Sequence, residues 1–157
     1  MINILIYIMF AEYDKSQYPL VKVKFGKGIK DEEDYQNFLR EWLKLYEDKK
    51  PFYFMFNTTE TGLVNIKYAV KTSRFIKKIK KQSEQWLQYS IIIINSDTIS
   101  FLLKLVFKLS APVSPVYIVK TEEDAIKIFN YLYNDEFLTD TNKEKLNKIN
   151  YSFISNK

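Results

Sequence analysis

Phe52-Tyr-Phe-Met-Phe56 is the run that most narrows what this chain can become. Bulky apolar residues in unbroken succession, too few for a helix and without polar alternation, form a strand covered on both faces, as at the centre of a parallel sheet. A second such run is Ile91-Ile-Ile-Ile94. Between them, over Val64 to Leu87, the residues Ile66, Ala69, Val70, Ile76 and Ile79 recur at helical spacing. Parallel neighbours require a crossover of this kind. The two runs and the segment between them therefore predict a β-α-β unit.

The rest of the chain extends that unit in both directions. Ile2–Phe10 is dense in β-branched and aromatic residues and reads as a strand, Glu12–Tyr18 as a polar turn. In Leu20–Phe25, Val21, Val23 and Phe25 alternate with Lys22 and Lys24, the pattern of a half-exposed strand. These two strands are expected to pair as an antiparallel hairpin. Asp31 caps a helix reaching Glu47, with Tyr35, Phe38, Leu39, Trp42, Leu45 and Tyr46 on its inner face. Asn95-Ser96-Asp97 caps another, through Leu109; Val116–Val119 is a strand; Thr121 starts a helix carrying Ala125, Ile126, Phe129 and Leu132. The predicted order is β-β-α-β-α-β-α-β-α, an α/β sandwich on a mixed sheet with an antiparallel N-terminal hairpin and a parallel centre. Residues 1–134 read as one domain and 135–157 as a polar, loosely tied C-terminal appendage with some helix.

Composition removes whole classes of chemistry. The chain has no His and no Cys. A Ser-His-Asp hydrolase, a cysteine nucleophile, a disulfide and a Cys-zinc site are all excluded. No cofactor or metal is expected, and the chain reads as a non-enzyme. Lack of Cys is compatible with a reducing compartment, and a cytoplasmic location is expected. Ile2–Ala11 is too short to span a bilayer, and Ile99–Val119 is interrupted by Lys104, Lys108, Pro112 and Pro115.

Over about residues 16–133 the order and pattern resemble the STAS-type fold. The likeness is closest to the SpoIIAA-like group related to bacterial anti-sigma-factor antagonists, and more distant to CRAL-TRIO lipid-transfer domains. It is carried by Val21-Lys-Val-Lys-Phe-Gly26, the acidic helix start Asp31-Glu-Glu-Asp34, Phe52–Phe56 leading to Thr61-Gly62-Leu63, and Ile91–Ile94. The helix Phe101–Leu109, Ala111-Pro112-Val-Ser-Pro115 and the helix containing Ala125 complete it. In the antagonists the turn after the central strand reads Asp-Ser-Ser-Gly-Leu, and the serine before the glycine is phosphorylated to block partner binding. The resemblance puts Thr61 at that position, with Thr59 where the family has Asp and Glu60 where it has the first Ser. It implies a non-enzymatic regulatory module whose partner is another protein.

Three stretches are candidate sites. The turn Thr58–Gly62, with Thr58, Thr59 and Thr61 hydroxyls and the free N–H groups expected of a helix start, suits an anion or a phosphorylation; otherwise it is a cap closed by Gly62. The following helix carries Lys67, Lys71, Arg74, Lys77, Lys78, Lys80 and Lys81 without an acid from Val64 to Ser83. That is a patch for anions or anionic lipid, or simply a solvated face. Only Tyr68 and Phe75 interleave with it, so nucleic acid is not indicated. Ile99–Leu109 is apolar nearly all round and reads as a buried helix, with the wall of an apolar ligand pocket as the alternative. The functional alternative to a protein-interaction module is thus an apolar-ligand or anionic-membrane binder using helices 67–81 and 99–109. A homodimer through the Ile2–Phe10 strand is also compatible. The acidic triplets Glu32–Asp34 and Glu122–Asp124 lie at helix starts, where the dipole accounts for them.

Overall fold

A computed structural model of the chain describes residues 9–134 and 140–157, with residues 140–143 given by backbone alone. Strands β1 (Ala11–Asp14), β2 (Leu20–Phe25), β3 (Phe52–Asn57), β4 (Leu87–Ile93), β5 (Val116–Val119) and β6 (Ser152–Ile154) form one sheet. They stand side by side in sequence order, parallel from β2 to β5 and antiparallel at both outer pairs. Helices α1 (Glu32–Glu47), α2 (Ile66–Lys80) and α3 (Asp97–Leu109) connect the parallel strands; α4 (Glu122–Tyr133) and α5 (Asp140–Asn147) precede β6. The expected α/β sandwich on a mixed sheet is present.

Parallel crossovers turn right-handed almost without exception, so strands added in sequence keep their helices on one face. The side chains divide accordingly. Val21, Val23, Phe52, Phe54 and Phe56 face α1, α2 and α3, packed with Phe38, Trp42, Phe75 and Ile79. Leu20, Met55, Ile91, Ile93 and Val119 face α4 and α5, packed with Ala125, Ile128 and Leu146. This two-sided burial is why β3 shows no polar alternation. Both faces carry rings: the edge-on Trp42–Phe54 pair at 5.2 Å on the α1–α3 side, and Tyr53 against Phe129 at 5.8 Å on the α4 side, where buried Ala125 lets the helix lie close to the sheet.

Four expectations need correction. The first strand of the described residues is β1, inside the stretch read as a turn; the Ile2–Ile8 part of the expected strand lies outside the described residues. In β1, Ala11 and Tyr13 turn inward and Glu12 and Asp14 outward, the alternation of a one-face-solvated edge strand. The long helix is shorter at both ends. It starts at Ile66 under an Asn65 cap (Lys67 N–H to Oδ1, 2.9 Å), and Ile66 itself is exposed. It stops at Lys80, where the Gln85 side chain donates to the Ile79 carbonyl at 2.8 Å and Trp86-Leu87 turns into the sheet. Helix α3 is not buried: only Ile99 and Val106 are, Phe101 and Leu109 are exposed, and Leu102, Leu103 and Phe107 are half-buried. Finally, the polar C-terminal stretch is tied to the fold, with β6 against β5 and Leu146 in the core. In α4, Ala125 and Ile128 are the buried residues and Ile126 is exposed.

Candidate functional site

The helix starts of α1, α2 and α3 and the carboxyl ends of β2–β4 meet at one end of the sheet, and the turn after β3 lies there. Helix α2 begins only at Ile66, so residues 58–65 are a loop rather than a helix start. Three amides of the turn are engaged: Thr59 N–H donates to Asn57 Oδ1 (3.0 Å), Thr61 N–H to the Thr58 carbonyl (3.0 Å), and Gly62 N–H to the Lys27 carbonyl (2.8 Å). Gly62 has no positive φ; a Cβ there would sit 3.2 Å from the Lys27 oxygen, so close approach of two backbones asks for glycine. The three hydroxyls part company. Thr58 is buried and donates to the Ile93 carbonyl at 2.7 Å. Thr59 is exposed and donates to Asn57 Oδ1 at 2.7 Å. Thr61 turns its Oγ1 inward, buried and without a hydrogen-bond partner.

Thr58 and Thr61 face a cavity of about 180 Å³ between the sheet and the α1–α3 layer. Its walls come from Tyr35 and Trp42 on α1, Ala69 and Thr72 on α2, and Ile99 and Phe107 on α3. Ser90 at the centre of β4 and Ser114 before β5 line its other end. The space has a sequence origin: Ala69, Thr72 and Ser90 are small where larger residues would close it. Every lining residue among those described is uncharged. Thr72 donates to the Tyr68 carbonyl (2.7 Å), so the Tyr35 hydroxyl, 2.9 Å away, is the donor to Thr72 Oγ1. Burial pushes the Tyr35 phenol up to about 12. Ser114 Oγ, like Thr61 Oγ1, is buried with no partner, and so is Trp42 Nε1.

The basic residues of α2 form a line. Lys67, Lys71, Arg74, Lys78 and Lys81 recur at four- and three-residue steps, one stripe about 21 Å long at 1.5 Å per residue. Lys77 flanks it, and Arg74, Lys77, Lys78 and Lys81 are exposed. Lys71 pairs with Glu32 on α1 at 2.6 Å, and Lys67 and Lys71 stand over the Tyr68 ring at 5.0 and 5.6 Å. Asp34 has a structural role: its buried carboxylate accepts from Phe10 N–H (2.9 Å) and Lys30 N–H (3.1 Å), fixing two loops to α1. A second cleft, about 360 Å³, lies between the α3 start and β5–β6 with mixed polar walls including Asp97 and Lys120. Among the described residues no three carboxylates are placed to share a metal ion, and no helix is long and apolar enough to cross a membrane.

Sequence reasoning did not find the cavity. Its one local signal is Ser90, a lone small polar residue inside Leu87–Ile94 on the face packed by rings. Comparison with protein-family models, curated proteins and solved structures finds no match.

Proposed function

We propose that the chain is a binding module for a small, mainly apolar ligand held between the sheet and helices α1–α3. The observation that carries this reading is the uncharged cavity of about 180 Å³ under α3. A dry engineered cavity of about 150 Å³ is enough to bind a benzene-sized molecule. The half-buried, apolar α3 supports the same reading, because a helix held by few buried side chains can move aside to admit a ligand. The test has two parts. Organic extraction of the purified protein followed by mass spectrometry should recover a bound apolar molecule. An environment-sensitive apolar fluorophore should bind the stripped protein and bind more weakly when Ala69→Leu takes up part of the cavity. Absence of both signals refutes the proposal.

A second reading is a STAS-type regulatory module that docks a protein at the turn after β3. Its support is exposure: Leu63 is 88% exposed and Ile66 52%, beside the exposed Thr59. On this reading Leu63→Glu abolishes capture of the partner in a pull-down, and unchanged capture would sink it.

A further inference from the structure

Resting on the cavity reading, we infer that the ligand is a neutral, elongated molecule that presents a hydrogen-bonding group at each end, one to Thr61 and one to Ser114. The two hydroxyls sit at opposite ends of the parallel sheet. Thr61 follows the carboxyl end of β3, in the turn where Thr58 N–H reaches the Ile93 carbonyl. Ser114 precedes the amino end of β5, where Ser90 N–H reaches the Pro115 carbonyl. From the Ser90–Val116 level to beyond Ile93 the strands run roughly 15–20 Å at about 3.3 Å per residue once the flanking residues are counted. Spread over that length, a volume of about 180 Å³ leaves a channel about one hydrocarbon chain wide.

Three of the wall hydroxyls are already engaged: Thr58 with the Ile93 carbonyl, Tyr35 with Thr72, and Thr72 with the Tyr68 carbonyl. Thr61 Oγ1 and Ser114 Oγ are buried and unpartnered, and Ser114 as a residue is 5% exposed. A buried hydroxyl left unpaired is disfavoured, so a ligand atom at each end completes the protein. Each hydroxyl can both donate and accept, so an alcohol, carbonyl or amide oxygen serves. Neutrality follows from the lining. No charged residue is there to offset a buried carboxylate or ammonium.

Four ten-carbon probes test this on the stripped protein by calorimetric titration: the alkane, the alcohol with one hydroxyl, the diol with one at each end, and the carboxylate. Thr61→Val and Ser114→Ala remove one hydroxyl each with little change of shape. The inference expects each variant to weaken the diol by about 3–10-fold, the worth of one hydrogen bond. Alkane binding should stay within about twofold or tighten, because an unpaired hydroxyl is gone; retained alkane binding also certifies that the variant is folded. The carboxylate should bind wild type more weakly than the diol. Diol affinities that fall no more than those of the alkane, or a carboxylate that binds best, overturn this inference and leave the cavity reading standing. If none of the four probes binds wild type, the cavity reading fails and the inference with it.

Discussion

Replacing one alanine by leucine on each face of the sheet should have opposite effects. Ala69 on α2 lines the cavity, and Ala125 on α4 is fully buried against β4 and β5. Leucine at 69 adds three carbons to that cavity. At about 0.8 kcal/mol per buried methylene the gain is about 2.4 kcal/mol, and about 1 kcal/mol is lost to side-chain ordering. The net is about 1.5 kcal/mol of stabilisation, a rise in Tm of roughly 3–6 °C for a chain of this length. At 125 there is no space, so the same substitution overpacks and destabilises by about 1–3 kcal/mol. Differential scanning calorimetry of the two stripped variants measures both. Equal destabilisation by Ala69→Leu and Ala125→Leu would falsify the claim that the α1–α3 face encloses usable space.

Asp34→Ala should lower stability by about 1–3 kcal/mol, because it strands the buried Phe10 N–H, with Asp34→Asn intermediate; urea unfolding checks the order. Burial raises the Tyr35 and Tyr46 phenols to about 12, so the folded state holds their protons where the unfolded chain has lost them. Their contribution is therefore complete below about pH 10 and disappears as pH climbs from about 10 to 12. Urea midpoints should fall steeply over that window, and a flat profile would count against buried phenols. With no lining residue charged and Tyr35 neutral, binding of an uncharged probe should not vary between about pH 5 and 9. A titration midpoint inside that range would show an ionisable group in the wall.

What could be read from the sequence followed how completely each segment is covered. Phe52–Phe56 and Ile91–Ile94 announce themselves because strands buried on both faces contain little but apolar residues. Tyr35, Phe38, Leu39, Trp42, Leu45 and Tyr46 hold a clean helical period because α1 has one wet face, and all are buried. Ala-Glu-Tyr-Asp in β1 was illegible because two inward residues on an edge are too short an alternation to outweigh polar composition. The early end of α2 depends on Gln85 reaching back to Ile79, a tertiary choice with no local signature. Of the candidate site, the turn at Thr58–Gly62 was visible as a hydroxyl-rich sequence, but not which hydroxyl faces inward. The cavity is an absence shared by Ala69, Thr72 and Ser90, residues from two different elements whose juxtaposition no window of sequence contains.

The unbroken strand order has a consequence for how the chain acquires its structure. Each strand from β2 to β6 docks on the one just before it in sequence, so no pairing waits for a distant segment. From β3 onward each addition still closes a connection of more than twenty residues, so the sheet grows by non-local steps whose loop-closure entropy is met one strand at a time. The step that stands apart is the last. Until Ser152–Ile154 pairs antiparallel to β5, Val116–Val119 presents an open apolar edge to any other chain. Three modest residues, Ser-Phe-Ile, thus act as the guard that keeps a half-grown sheet from recruiting a neighbour.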